Sequence, residues 1–350
     1  MIGPALRRAL QAVADGERLS DGEVGGAFDA IMRGEATPAQ VGGLLLGLRA
    51  RGETADELAG VVRALRRAMR PLPADHPEDL VDTCGTGGGR VPTFNISTVA
   101  AFVAAGAGVR IAKHGNRSYT SRCGSADVLE ALGVPLDAPV PVLARVLAEA
   151  GIVFMFAPLM HPAMRHVAPV RGELGVPTLM NLVGPLANPA GASRQVIGVA
   201  DPGRLTIVAA ALRELGAVHA LVVHGEPGMD EISPIGPTQV VEVRAGTAPG
   251  EQRWTIDPAA VGLAGATADD LQCGDPATNA RLALEVLGGG GPPGARHAVG
   301  LNAAAAIYVS GRVPTYEAAV RLAVDVLARG DGLAALRRMQ DAYAAALVGG

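Results

Sequence analysis

The stretch Leu80–Ala112, LVDTCGTGGGRVPTFNISTVAAFVAAGAGVRIA, contains the pattern that decides the fold. Leu80–Thr83 is a short apolar run before a glycine-rich loop, which predicts a buried strand. Thr98–Ala107 is an alanine-rich apolar run of helical length, and Val109–Ala112 is a second short β-prone run. Alternation of strand and helix predicts an α/β domain with a mainly parallel sheet.

The same alternation continues toward the C-terminus and extends the predicted sheet. Further strands are predicted at Ile152–Phe156, Gln195–Val199, Ala220–Val223 and Gln239–Val243. Helices are predicted at Ser125–Leu132, Pro141–Ala150, Pro202–Leu215, Asn302–Val309, Tyr316–Ala328 and Gly332–Val348. Residues 73–350 are therefore expected to form an α/β domain whose central sheet is flanked by helices. Ligands of such sheets bind beyond the carboxyl ends of the strands.

Residues 1–72 carry a helical pattern and predict a small bundle domain. Three capping boxes, each ahead of an apolar pattern, mark helix starts: Ser20 with Glu23, Thr37 with Gln40, and Thr54 with Glu57. The linker Pro71-Leu72-Pro73 closes this domain. Met160–Leu174 has helical character and no strand pattern, so the segment near 160–190 is expected to return to the bundle and line a cleft between the domains.

Composition excludes several classes of protein. The 350 residues are 49% hydrophobic with a net charge of -4, which suits one large or two modest globular domains and argues against general nucleic-acid affinity. The longest apolar run, near Thr98–Val109, is too short to span a membrane, and the N-terminus lacks a signal core. We therefore expect a soluble cytoplasmic protein. Three cysteines without CxxC spacing favour neither a disulfide framework nor a zinc site.

The glycine-rich loop Asp82–Gly89 follows the first predicted strand. Its glycines allow backbone N–H groups to approach an anion closely, and Asn95–Thr98 then opens a helix whose N-terminus favours phosphate. The loop lacks the sixth-position glycine of a dinucleotide fingerprint, because Arg90 stands there, and it lacks the lysine of a Walker A motif. Taken alone, the loop is equally consistent with a plain turn.

A second polar loop, Lys113–Ser121, follows the next predicted strand. It contains the one lysine among 30 basic residues, together with an arginine and several hydroxyl groups. A compact ammonium beside hydroxyls and the start of another helix, at Ser125, suits a pyrophosphate. The alternative is an ordinary polar surface loop, which the similar character of the first loop disfavours.

Two further segments carry candidate chemistry. Asp230 and Glu231 follow an apolar strand, and adjacent carboxylates suit Mg²⁺, although such a pair is usually a solvated turn. His161 and Arg171 lie in HPAMRHVAPVR, whose histidine spacing does not suit zinc. Arg171 can bind a carboxylate with two hydrogen bonds, or it can form a salt bridge on a helix surface.

Taken in order, these motifs resemble the anthranilate phosphoribosyltransferase family. The resemblance rests on GTGG, NIST, KHGN, GSAD, HPAM with VAPVR, NLVGPLANP and GMDEIS, and on the tail segments beginning at Gly274 and Leu301. It runs from about Leu19 to the end of the chain. It implies transfer of the phosphoribosyl group of phosphoribosyl pyrophosphate (PRPP) to anthranilate, a homodimer, Mg²⁺ (two ions with PRPP) and no nucleic-acid or membrane partner.

The resemblance also implies roles for individual residues. Lys113, Asn116 and Arg171 are the expected catalytic residues, with Asn116 and Arg171 holding anthranilate. Residues expected to bind substrate are Gly85, Gly88, Gly89, Thr93, Asn95, Ile96, Ser97, Thr98, Lys113, His114, Gly115, Asn116, Arg117, Ser118, Tyr119, Thr120, Ser121, Ser125, His161 and Arg171. Ser97 is expected to bind one Mg²⁺, and Asp230 and Glu231 the other. His114, Pro158, His161 and Gly184 are expected to line the channel that anthranilate enters.

Three positions depart from the family pattern. Gly89 stands where relatives usually carry an acid, Met164 where they often carry an aromatic residue, and Cys123 where a hydroxyl is common. Gly89 removes a carboxylate close to the expected metal and pyrophosphate, so metal affinity or stoichiometry is expected to differ.

Two other functions compete with this interpretation. A pyrimidine nucleoside phosphorylase of the same fold shares the glycine-rich loop, and phosphorolysis of thymidine or uridine would reveal it. A non-enzymatic nucleic-acid-binding relative would show salt-dependent DNA binding. The KHGN motif argues against the first, and the acidic net charge against the second.

Overall fold

The computed structural model describes residues 3–118, 122–247 and 252–348. Its N-terminal helices are α1 (Pro4–Ala14), α2 (Asp21–Met32), α3 (Pro38–Arg51) and α4 (Ala55–Ala68). The three predicted capping boxes are confirmed at the starts of α2, α3 and α4. In each, the hydroxyl of the cap residue accepts a hydrogen bond from the backbone N–H of the third helical residue. The side chain of that third residue accepts a hydrogen bond from the backbone N–H of the cap residue. The caps satisfy N–H groups that a helix start leaves unpaired.

A single seven-stranded sheet forms the centre of the larger domain. Its strands are β1 (Val81–Gly85), β2 (Ile111–Gly115), β3 (Ile152–Phe156), β4 (Arg194–Gly198), β5 (His219–Gly225), β6 (Thr238–Arg244) and β7 (Gln252–Ile256). Their order is β3-β2-β1-β4-β5-β6-β7, with β1 to β5 parallel and the last two antiparallel. The predicted fold class is confirmed, and the strand β7 was missed by the sequence prediction.

Eleven more helices follow β1 within the described residues, and some of them cover the two faces of this sheet. They are α5 (Ile96–Gly106), α6 (Ser125–Ala131), α7 (Val140–Ala150), α8 (Ala157–Met160), α9 (Ala168–Leu174), α10 (Met180–Leu186), α11 (Leu205–Glu214), α12 (Pro276–Leu287), α13 (Pro293–Val309), α14 (Tyr316–Arg329) and α15 (Asp331–Val348). The sequence prediction missed α12 and placed the start of α13 too late. Among the described residues, no helix has the length and apolar character needed to cross a membrane.

The segment that follows β3 leaves the sheet and packs on the N-terminal helices. A 3-10 helix at Pro162–His166 contacts α2 and α4, α9 contacts α3, and α10 contacts α4. Val183 and Leu186 of α10 are fully buried in the same apolar cluster as Leu44 and Leu58 of the bundle. This cluster continues through α11 to one face of the sheet, while a second cluster joins the other face to α5, α13 and α15.

The strand order places a crevice at the end of β1. Strands β2 and β3 lie on one side of β1 within the sheet, and the chain then crosses to β4 on the other side of β1. Loops that leave β1 and its neighbours therefore diverge at their carboxyl ends, where ligands of such sheets bind.

Candidate active site

The glycine-rich loop at the end of β1 packs directly on the loop that carries Asp230. A β-carbon at Gly85 would lie 2.2 Å from Oδ2 of Asp230, and one at Gly198 would lie 1.6 Å from the Asp230 carbonyl oxygen. The Gly87 N–H donates to Oδ2 of Asp230 over 2.7 Å. These glycines, at the ends of β1 and β4, therefore allow the loop after β1 and the loop after β5 to approach each other closely.

Lys113 lies buried in the middle of β2, and its side chain points toward β1. Its Nζ donates to the carbonyl oxygen of Thr83, and it lies 3.3 Å from Oγ of Ser97, the second residue of α5. Burial lowers the pKa of Lys113, and the neighbouring charge of Asp82 opposes that shift. The ammonium is thus held at the mouth of the first loop.

Asp82 and Asn188 fix the backbone beside that lysine. The Asp82 carboxylate is fully buried and accepts from the His114 N–H over 3.1 Å and from Nδ2 of Asn188 over 2.8 Å. Asn188 also donates to the Ala112 carbonyl over 2.8 Å. The end of β2 is therefore tied to β1 on both sides of Lys113.

Asp230 and Glu231 form a half-buried acidic pair at the edge of the same crevice. Burial, followed by the negative charge of Asp230, raises the pKa of Glu231 to about 8. Burial also raises the pKa of Asp230. Among the described residues, Oε2 of Glu231 is a buried oxygen without a hydrogen-bond partner. A buried carboxylate oxygen that lacks a hydrogen-bond partner is unfavourable, and a bound cation would compensate for it.

One small cavity brings the predicted metal ligands together. It is lined by Thr83, Cys84, Ser97, Ala100, Val196, Gly198, Val223, Asp230, Glu231 and Asn302. Two carboxylates and a hydroxyl are hard oxygen ligands, and Oε2 of Glu231 has no hydrogen-bond partner among the described residues. The side chains present here fit a divalent cation such as Mg²⁺.

The second loop is held by its own hydrogen bonds and by α6. Oγ of Ser125 donates to the Asn116 carbonyl over 3.1 Å, and Oδ1 of Asn116 accepts from the Arg117 N–H over 2.8 Å. Arg117 forms ion pairs of 2.7 Å with Asp127 and 2.8 Å with Glu130, so its charge faces α6. Tyr119, Thr120 and Ser121 lie outside the described residues. Gly115 ends β2, and Ser118 follows in the described part of the loop.

Other predicted substrate-binding residues are spread around the first loop and the start of α5. Gly88 has a positive φ of 82° in the turn, and Thr93 bridges to Gln272. Ile96 and Thr98 are buried in the first turn of α5. The amide of Asn95 donates to the Cys123 carbonyl over 3.1 Å and accepts from Nδ2 of Asn279 over 3.0 Å.

The histidines expected beside the anthranilate channel form a buried pair. The rings of His114 and His161 lie 4.9 Å apart between centroids. Burial lowers the pKa of His114 to about 3 and that of His161 to about 4, so both rings are neutral at neutral pH. Arg171 lies half-buried in the last turn of α9, on the segment that packs against the bundle.

The three departures from the family pattern lie in different surroundings. A β-carbon at Gly89 would lie 3.2 Å from Oδ1 of Asp230, so an acidic side chain there would add negative charge beside the pair. Met164 packs against the apolar cluster of the helical bundle. The Cys123 thiol is buried and donates to Oδ1 of Asn95 over 3.4 Å.

The side chains that brace the site were not predicted from the sequence. These are Asp82, Asn188, Asn279 and Asn302, all buried. Asn302 gives the clearest signal in the sequence, because it is a lone polar residue in the run LNAAAAI. Its partner lies 70 positions away along the chain, which no local pattern reveals.

Two family models match the two parts of this chain. A glycosyl transferase family helical bundle domain matches residues 7–69, and a glycosyl transferase family a/b domain matches residues 77–333. An anthranilate phosphoribosyltransferase of Rubrobacter xylanophilus is 52% identical over 95% of this chain and 96% of its own. One from Caulobacter vibrioides is 48% identical over 96% of each chain.

Solved structures of the same description share the fold. The anthranilate phosphoribosyltransferase of Thermus thermophilus superposes with a TM-score of 0.90 at 45% identity, covering 96% of this chain and 99% of that one. The Saccharomyces cerevisiae protein in complex with PRPP and Mg superposes with a TM-score of 0.87 at 25% identity, covering 97% and 98%.

Proposed function

Because this chain belongs to the anthranilate phosphoribosyltransferase family of glycosyl transferases, we propose that it joins anthranilate to PRPP. The reaction gives N-(5-phosphoribosyl)anthranilate and pyrophosphate, and it serves tryptophan biosynthesis. One observation carries the assignment: Ser97, Asp230 and Glu231 line one cavity at the strand ends, with Lys113 directed toward Ser97. Relatives that are identical to this chain at about half of the aligned positions are named anthranilate phosphoribosyltransferase.

The main barrier is charge separation at the anomeric carbon. The bond from this carbon to the pyrophosphate oxygen breaks, and pyrophosphate leaves with the electron pair. In this proposal Lys113 and the N–H groups of the first loop stabilise this developing negative charge. When bound, Mg²⁺ adds positive charge to the same pyrophosphate. Catalysis is thus mainly electrostatic.

The amine of anthranilate needs little activation. It is an aromatic amine and is largely unprotonated at neutral pH, so its nitrogen attacks directly and the proton then passes to solvent. Asn116 and Arg171 hold anthranilate, Arg171 through the carboxylate, and so aim the amine. His114 is a poor general base, because burial lowers its pKa to about 3. The mechanism includes neither a covalent intermediate nor an obligatory general base.

Further properties belong to the same proposal. Ser97 would hold one Mg²⁺ ion with PRPP, and Asp230 and Glu231 would hold a second. The yeast relative solved with PRPP and Mg supports the use of this metal. In this proposal the enzyme is a homodimer in the cytoplasm. Sedimentation equilibrium will give the subunit number directly.

Loss of anthranilate fluorescence tests the reaction. Purified protein is mixed with anthranilate, PRPP and Mg²⁺, and the signal is expected to fall only when all three are added. A folded protein that leaves the fluorescence unchanged across a wide range of Mg²⁺ would contradict the proposal. Phosphorolysis of thymidine and uridine is then the next assay, since the nucleoside phosphorylases share this fold.

A further inference from the structure

A buried amide on α13 reaches the loop that carries the acidic pair. Asn302 is 5% exposed, and the other side chains from Leu301 to Ile307 are alanine, leucine or isoleucine. A polar group in such a setting lowers stability unless all of its hydrogen bonds are made. Its contacts therefore indicate what it is there to hold.

The Asn302 side chain forms hydrogen bonds with both the N–H and the carbonyl group of Ile232, the residue after Glu231. Oδ1 accepts from the Ile232 N–H over 3.0 Å, and Nδ2 donates to the Ile232 carbonyl over 2.8 Å. The second amide hydrogen goes to the Ala298 carbonyl over 2.9 Å, one turn back on α13. The amide thus fixes the loop to a long helix through two opposed hydrogen bonds.

The two bonds restrict the orientation of the acidic pair. The Gly87 N–H holds the Asp230 carboxylate at the start of the pair, and Asn302 holds the backbone at its end. Glu231 lies between these anchors with its unpaired Oε2. Asn302 also lines the cavity that contains both carboxylates. Groups that orient metal ligands commonly change metal affinity when they are altered.

We propose that Asn302 is a positioning residue that orients Asp230 and Glu231 for the Mg²⁺ complex of PRPP. The inference rests on the proposed function only for the identity of this ligand. Asn302 donates to and accepts from backbone, so it acts through the carboxylates and does not ligate the ion itself.

Two variants and one control test this role. Asn302→Asp keeps the shape and one acceptor but removes both donors, and Asn302→Leu removes all three hydrogen bonds. Tyr316→Phe is the matched control, because the buried Tyr316 hydroxyl donates over 2.9 Å to the carbonyl of Leu301 on the same helix. It removes a buried hydrogen bond to α13 without touching the acidic loop.

The measurement is binding without turnover. Titration calorimetry gives the affinity for PRPP with Mg²⁺ in the absence of anthranilate, and electron paramagnetic resonance follows Mn²⁺ in the same mixture. Both Asn302 variants are expected to bind the complex roughly ten- to hundredfold more weakly. Tyr316→Phe is expected to bind it as the unaltered protein does, even where its thermal midpoint falls equally.

The outcomes separate this inference from the proposed function. Unaltered affinity in a folded Asn302→Asp protein would overturn the inference, as would equal weakening by Tyr316→Phe or failure of the unaltered protein to bind the complex. If the unaltered protein binds PRPP with Mg²⁺ but does not consume anthranilate, and the Asn302 variants bind more weakly, the inference stands and the proposed reaction fails.

Discussion

Replacing Gly198 by alanine tests whether backbone contact sets the geometry of the acidic loop. The added β-carbon would lie 1.6 Å from the Asp230 carbonyl oxygen, so the end of β4 and the loop that carries Asp230 must separate by about 1.8 Å to reach an ordinary contact of 3.4 Å. Both groups belong to the main chain, and no side-chain rotation relieves the clash. Overpacking of this kind costs about 1–3 kcal/mol of folding stability.

The effect on catalysis is expected to exceed the effect on stability. A displacement of about 1 Å at a catalytic group can cost roughly 100-fold in rate, so kcat/KM for PRPP should fall at least about 100-fold. Steady-state fluorescence kinetics and thermal unfolding measure the two effects separately.

Gly300→Ala is the control for the Gly198 substitution. Its β-carbon meets only ordinary contacts of 3.6 Å with the side chains of Leu263 and Leu327, so activity should persist. Near-normal kcat/KM in a folded Gly198→Ala protein would refute the reasoning.

Three further predictions concern stability and pH. Although burial raises it, hydrogen bonds from His219 and Arg244 bring the pKa of Glu242 down to about 2. The stabilisation by ionised Glu242 is therefore complete above the pKa that this residue has in the unfolded chain. It is lost as the pH falls through the pKa of Glu242 in the folded protein. Glu242→Gln should cost about 1–3 kcal/mol at pH 7 by urea unfolding, and less below pH 4. Gly22→Ala, with open space around the added β-carbon in α2, should raise the unfolding free energy by about 0.4–1 kcal/mol, measured in the same way. At saturating Mg²⁺, kcat/KM should show no histidine limb between pH 6 and pH 8, because His114 and His161 are neutral there; a limb removed by His114→Asn would contradict this.

Local sequence signals predicted most of the regular structure. The helix starts at Ser20, Thr37 and Thr54 follow from short-range capping, which depends on residues three positions apart. The strand Ile152–Phe156 was predicted with its observed ends, because a buried strand is apolar throughout. Gln252–Ile256 was missed, since it is a partly exposed edge strand with little apolar content.

The residues expected to bind substrate and metal were predicted from the sequence, but the buried side chains that hold them in place were not. Motif order indicated Lys113, Ser97 and the acidic pair, which the fold brings to one crevice. The role of Asp82 was not predictable, because it depends on Asn188, which lies 106 positions away along the chain. Hydrogen bonds of this kind depend on tertiary packing, and a single sequence carries no local record of them.

The return of the chain to the helical bundle has a consequence for synthesis. α10 covers the bundle with Val183 and Leu186, and it leaves the ribosome only after β1, β2 and β3 have been made. Domains usually fold as they emerge, starting from the N-terminus. In this protein the apolar surface of α1–α4 that α10 covers stays exposed until more than half of the chain has been translated. We expect the nascent protein to need chaperones during that interval, and a chain released after residue 69 to aggregate.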